Sequence, residues 1–189
     1  MKTSLGPKLL LYPTPVLVVG TYDADGKPNV MTASWGGICC SQPPCVNVSL
    51  RKATYSYHNL MARKAFTLSI PSVNFVRQAD YFGLASGRDT DKFAASGLTA
   101  QRSDLVDAPY VAEFPLILEC RLLQAIELGL HTMFVGEVAD VKANPAILTP
   151  QGDVDMRKLQ PLLFATGTKE YYGAGDFIAK AFTAGRESD

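Results

Sequence analysis

Formal charge is scarce in this sequence. Of its 189 residues only 18 are Lys or Arg and 18 are Asp or Glu, which leaves the net charge at zero. Binding nucleic acid through its phosphates needs a surplus of Lys and Arg, so no nucleic-acid partner is expected. Long apolar runs are missing as well. Near the N-terminus Leu9-Leu10-Leu11 is too short for the apolar core of a secretory signal, and a cytoplasmic protein is expected. The longest stretch without formal charge, Pro28 to Leu50, has the length of a membrane span, but Asn29, Thr32, Ser34, Gln42, Asn47 and Ser49 are spread through it. Gly36-Gly37 and Pro43-Pro44 would break a helix there, so no membrane partner is expected. No G-x-G-x-x-G follows a strand and no G-x-x-x-x-G-K-[ST] occurs, which argues against a Rossmann or P-loop phosphate cradle. With two histidines and four cysteines, none in a C-x-x-C pair, no metal site is expected.

Apolar side chains make up 47% of the chain, enough for one compact domain over residues 1–189 with surface left for a twin subunit. The patterning predicts a mainly β protein with short helices. Pro15 to Tyr22 is an apolar, β-branched run; Asp23-Ala24-Asp25-Gly26 supplies a turn, and Asn29 to Trp35 returns as its hairpin partner. In Cys45 to Arg51, Val46, Val48 and Leu50 share one face while Asn47, Ser49 and Arg51 share the other. A helix is predicted from Thr54 to Lys64, with Thr54 or Ser56 as its N-cap, followed by a strand from Phe66 to Ile70. Two helical pieces are predicted between Asn74 and Leu98, separated by Ser86-Gly87-Arg88, the second capped by Asp89 or Thr90 and ended by Gly97. Period-two runs from Phe114 to Leu122 and from His131 to Val141 predict a hairpin turning at Leu128-Gly129-Leu130. A strand from Leu162 to Ala165 and a helix from Asp176 to Phe182 complete the prediction. Many short antiparallel strands with few crossover helices point to a small barrel.

Three constellations carry possible chemistry. Cys45 and Cys120 read as buried small hydrophobes, whereas Cys39 and Cys40 follow Gly36-Gly37 in a predicted loop and are candidate reactive thiols if a cation lies near. His131 stands in a patterned strand with Met133, Val135 and Glu137, either as a satisfied core histidine or as a proton-handling group beside a cofactor. No Ser-His-Asp or Cys-His spacing supports a hydrolase. Asn29, Thr32, Ser34 and Trp35 lie on one strand, Ser49 and Arg51 on the next, and Ser56 at the following helix start. From Arg51 to Lys64 there are four Lys or Arg and no acid, so a helix N-terminus behind Arg51-Lys52 suits a phosphate. Trp35, the single tryptophan, is either a core residue or the cover of a planar heterocycle, for which neutral donors would suit a ring bearing carbonyls and nitrogens.

Taken together, Gly26 to Arg51 (GKPNVMTASWGGICCSQPPCVNVSLR), Ala53 to Leu60 (ATYSYHNL), Asp80 to Phe93 (DYFGLASGRDTDKF) and His131 to Val138 (HTMFVGEV) resemble the flavin reductase-like FMN-binding split barrels. The resemblance implies a six-stranded antiparallel split β-barrel, homodimeric, with FMN as cofactor near the subunit interface. It implies that Asn29, Thr32, Ser34 and Trp35 contact the flavin ring and that Ser49 and Arg51 flank the ribityl and phosphate side. Ser56 and Lys92 would reach the phosphate, and Phe164 would be a further contact. Where related flavin reductases carry Gly-Asp-His, associated with nicotinamide, this sequence reads Gly129-Leu130-His131. The function implied is electron transfer through a tightly bound flavin, between a donor and an acceptor that the sequence does not identify. Alternatives are an NAD(P)H:flavin oxidoreductase that supplies reduced flavin to a partner enzyme, and a non-enzymatic flavin-binding barrel.

Overall fold

The structure, a computed structural model, describes residues 1–186. A short strand β1 (Thr14–Pro15) leads into β2 (Leu17–Tyr22), which turns through Asp23 to Gly26 into β3 (Pro28–Ala33). Asp23 makes the turn: its Oδ1 accepts from the backbone N–H groups of Asp25 and Lys27 at 3.0 and 2.8 Å. Beyond Ser34 and Trp35 the chain forms β4 (Gly36–Ser41) and β5 (Pro44–Arg51), an antiparallel hairpin. Helix α1 (Tyr55–Arg63) follows, with Thr54 Oγ1 accepting from Tyr57 N at its start and Lys64 left-handed at its end. Then come β6 (Ala65–Ile70), α2 (Val76–Leu84) and α3 (Lys92–Ser96). The cap of α3 is Asp91, which accepts from Ala94 N, rather than the predicted Asp89 or Thr90, because the helix begins only at Lys92.

The second half holds β7 (Ala100–Arg102), β8 (Pro109–Val111), and the long pair β9 (Leu116–Leu128) and β10 (His131–Ala143). The last two turn through Gly129-Leu130, where Gly129 takes a φ of 74° at the first central position, as a tight hairpin of this hand requires. A one-turn α4 (Met156–Leu159), β11 (Leu163–Ala165) and β12 (Glu170–Tyr172) close the order.

The main sheet runs β3-β2-β6-β9-β10-β5-β4 and every adjacent pair is antiparallel. It therefore has seven strands where six are expected, and its ladder is not closed, since β3 and β4 stand at its edges. The additional strand is β4, expected to be a loop; Ile38, Cys39 and Cys40 favour extended backbone once Gln42-Pro43 folds them back onto β5. The predicted helix from Asp176 to Phe182 is likewise corrected: residues 173–180 have no regular structure, and Phe177, Ile178 and Phe182 are exposed, so no packing partner repays helix formation.

Both faces of β2 are covered, which explains its unbroken apolar run. One face, with Leu17 and Val19, packs against Val48, Leu50, Leu60, Phe66 and Phe134. The other, with Val18, packs against Val30, Phe82, Phe93 and Tyr110. The alternation in β5 and β10 also matches expectation, with Val46, Val48, Leu50, Thr132 and Phe134 buried. Fully burying Phe66 and Phe134 stabilises by roughly 1.5–3 kcal/mol each.

Candidate functional site

The end of β3, the end of β5, the start of α1 and the start of β10 converge. Pairing of β5 with β10 sets Arg51 opposite His131 and Ser49 opposite Met133. Ser49 N donates to Trp35 O at 2.7 Å, which fixes the Ser34-Trp35 link against β5. Trp35 then lies over His131, the ring centroids 6.4 Å apart and the planes 21° from parallel. Thr32, Ser34, Trp35, Ser49, Arg51 and His131 line a cavity of about 200 Å³, together with Met31 and Thr54.

Met31 and Thr54 also belong to a second cavity, of about 250 Å³, so the two adjoin across the start of α1. This second cavity lies between α1 and the loop after α2, and its wall includes Asn29, Ser56, Lys92, Gly87, Arg88 and Tyr55. Below it Asn29 Nδ2 donates to Ser56 Oγ at 2.8 Å and to Thr21 Oγ1 at 3.4 Å. Asn29 is 4% exposed, and among the described residues its Oδ1 has no hydrogen-bond partner. A buried acceptor in a cavity wall is costly unless an O–H or N–H donor meets it, so this atom suits a hydroxylated guest.

Lys92 is 4% exposed and its ammonium donates to Val30 O at 2.8 Å and Phe82 O at 2.9 Å. Burial pushes its pKa down to about 8. An ammonium carries three N–H donors, so one remains for the cavity. Arg88 adds a second cation: its guanidinium lies 5.6 Å from the Tyr55 ring centroid and donates to Ala53 O at 3.0 Å. The Tyr55 hydroxyl in turn donates to Asp23 Oδ2 at 2.8 Å, which raises the pKa of Tyr55. Burial works to raise the pKa of Asp23, but hydrogen bonds from Lys27 N, Tyr55 and Asp25 N outweigh it and hold the carboxyl below its ordinary value. The loop that carries Arg88 presses close: a Cβ on Gly87 would sit 2.0 Å from Asn29 Oδ1, so only glycine fits there.

Of the residues singled out in the sequence, Thr32, Ser34, Trp35, Ser49, Arg51 and His131 line the smaller cavity, and Asn29, Ser56 and Lys92 line the larger. The Thr32 hydroxyl donates to Ala79 O and so ties β3 to α2. Phe164 stands apart, on β11, where it packs beside Tyr171 in the cluster around Val16 and Leu162. Cys39 and Cys40 are exposed on the edge strand, while Cys45 and Cys120 are buried as expected. Sequence reasoning missed Arg88 and Tyr55. The signal for Arg88 lies in Ser86-Gly87-Arg88, a glycine beside a cation at a helix break.

An aromatic wall, neutral hydroxyls and, one helix turn away, two cations beside a helix N-terminus suit a flat ring that carries an anionic tail. On such an antiparallel split-barrel scaffold, these features define the class of flavin-related redox domains. The chain belongs to the flavin reductase-like family: the model of the Flavin reductase like domain matches residues 9–173. It is similar to the flavoredoxin of Desulfovibrio vulgaris (Miyazaki F), with 54% identity, a TM-score of 0.95, and coverage of 98% of this chain and 100% of that one. A putative flavin reductase with split barrel domain from Shewanella frigidimarina shares the fold, with a TM-score of 0.82 at 21% identity over 91% of this chain and 87% of the other. The high molecular weight rubredoxin of Moorella thermoacetica is 30% identical over 154 residues, 79% of this chain but only 59% of that longer protein.

Proposed function

We propose that this protein, which resembles a flavoredoxin, binds FMN tightly and passes electrons through it between a donor and an acceptor. The observation that carries the reading is the continuity of the two cavities across the start of α1, with Trp35 and His131 at one end and Arg88 and Lys92 at the other. A bound flavin supplies the redox chemistry. The chain's own residues do the holding and shaping. Trp35 covers an aromatic face, and Ser34, Ser49 and Thr32 line the ring cavity with neutral oxygens. Arg51 and Arg88 draw the anionic end toward the free N–H groups of α1, with Ser56 and Lys92 beneath it. Asn29 Oδ1 accepts from a hydroxyl of the polyol chain between ring and phosphate.

The protein acts as a homodimer in the cytoplasm on this reading; exposed Leu123, Leu128 and Leu130 along the outer half of the long hairpin are apolar surface that a twin subunit would cover. Among the described residues no helix is long and apolar enough to cross a membrane. A second reading, in which flavin is a diffusible substrate reduced by NAD(P)H, is favoured by the placement of His131 against Trp35, where a proton-handling group would stand beside the reacting ring. The absorbance spectrum of the purified protein, with identification of the extracted flavin, tests the first reading. A colourless protein that gains no flavin absorbance on titration with FMN refutes it. Rapid NADH-dependent turnover of excess free FMN would favour the second.

A further inference from the structure

The flavin reading leaves the cysteines of β4 and β5 unused. The register of the hairpin sets Cys40 directly opposite Cys45, two residues from the Gln42-Pro43 turn. Opposed residues of an antiparallel pair point to the same face, with Cα atoms about 4.5 or 5.5 Å apart according to their place in the ladder. Both separations lie within the range of roughly 4.4–6.8 Å that a disulfide spans. Cys39 has no such partner, because the register shifts between Ile38 and Cys40 and passes over it. We propose that Cys40 and Cys45 are a reversible dithiol–disulfide site, oxidised by small disulfides of the glutathione type.

Exposure assigns the two roles. Cys40 is exposed on an edge strand that pairs on one side only, and Cys45 is 4% exposed beneath it. Burial raises the pKa of Cys45, and the neighbouring Cys40 and Cys39 thiols raise it further, which makes it the poorer first nucleophile. Cys40 therefore attacks as the thiolate, breaking the S–S bond of the small disulfide and releasing one thiolate, which takes up the proton that Cys40 lost. Cys45 then loses its proton and attacks the Cys40 sulfur, expelling the second small thiol. One small disulfide becomes two thiols and two protein thiols become one disulfide, so electrons and protons balance. Closure staples the outer end of β4, the strand whose inner end begins next to Trp35.

The site stands independently of the flavin reading, because it needs neither flavin nor the cavities. The test uses the full chain, reduced and then equilibrated against graded ratios of oxidised to reduced glutathione, quenched with an alkylating agent in denaturant so that the buried Cys45 and Cys120 are also reached, and weighed intact. Residues 28–51 contain no internal Lys or Arg, so Cys39, Cys40 and Cys45 share one tryptic peptide, and a Cys39→Ser chain is needed to identify the pair. Two of the four thiols are expected to escape alkylation together as glutathione is oxidised, and Cys39→Ser should behave like the parent. Cys45→Ser should instead trap one glutathione on Cys40, with the resolving thiol gone. If all four thiols stay alkylatable at every ratio, or if Cys39→Ser abolishes the loss of two thiols, the assignment is overturned.

Discussion

Lys92 gives a perturbation whose sign and size can be worked through. Its side chain is almost wholly buried, no carboxylate is within ion-pair distance of it among the described residues, and burial lowers its pKa from 10.5 to about 8. Below pH 8 both folded and unfolded chains hold the proton, and the cost of burying the charge is present in full. Between pH 8 and 10.5 the unfolded chain binds a proton that the folded chain has lost, so stability rises with pH across this window. A gap of that width corresponds to roughly 3 kcal/mol at about 1.4 kcal/mol per unit. The assay is urea unfolding of the parent and of Lys92→Met from pH 7 to 10.5. The tyrosines that titrate in the same range are common to both proteins and cancel in the difference. Parent stability relative to the variant should grow by about 3 kcal/mol over the window. Parallel profiles would refute the buried, depressed lysine. Saturating FMN gives a second arm: a phosphate close to Lys92 favours the charged form, so the rise should move to higher pH.

Arg88→Ala should weaken FMN binding by roughly 10- to 100-fold while leaving riboflavin binding nearly unchanged, the loss of one charge-assisted contact to phosphate. Equal losses for the two flavins in fluorescence titrations would remove Arg88 from that role. Trp35→Ala should cost roughly 1–3 kcal/mol of flavin affinity for both ligands alike, because it removes aromatic cover rather than charge. Unchanged flavin retention on gel filtration would count against that placement. Gly87→Ala should destabilise the chain by roughly 1–3 kcal/mol, since the new Cβ meets Asn29 Oδ1 at 2.0 Å and Tyr55 Cδ1 at 2.9 Å. A thermal midpoint equal to the parent's would show that the loop can move away.

The sequence displayed the strands that obey a period of two, and β5 and β10 keep their predicted faces because each buries one side only. Helix α1 was legible from Thr54, which caps its start as expected, and it ends at Lys64 as predicted. What escaped were elements decided by tertiary contact. Strands β7 and β8 are three residues each and exist because they cover the sheet face around Thr67, whose hydroxyl donates to Pro109 O. The tail helix failed for the opposite reason, an apolar periodicity without a surface to receive it. At the site, Thr32, Ser34, Trp35, Ser49 and Arg51 share one cavity while Asn29, placed beside them by sequence, lines the other, and Arg88 and Tyr55 join that second cavity through a loop whose path depends on Gly87 fitting against Asn29. The roles assigned to ring and phosphate contacts came from family resemblance, and the titrations above test them directly.

Pairing of β5 with β10 has a consequence in time. Arg51 and His131 lie about 80 residues apart in the chain, so the wall that Trp35 shares with His131 cannot form locally during folding. Hairpins such as β2–β3 and β9–β10 close quickly, but this union must wait for a long loop to be gathered, the kind of step that places β-rich domains in the millisecond-to-second range. A nascent chain would therefore present Trp35 to water while much of its sheet was already paired. Quenching of the single tryptophan by His131 should report this long-range union separately from hairpin formation.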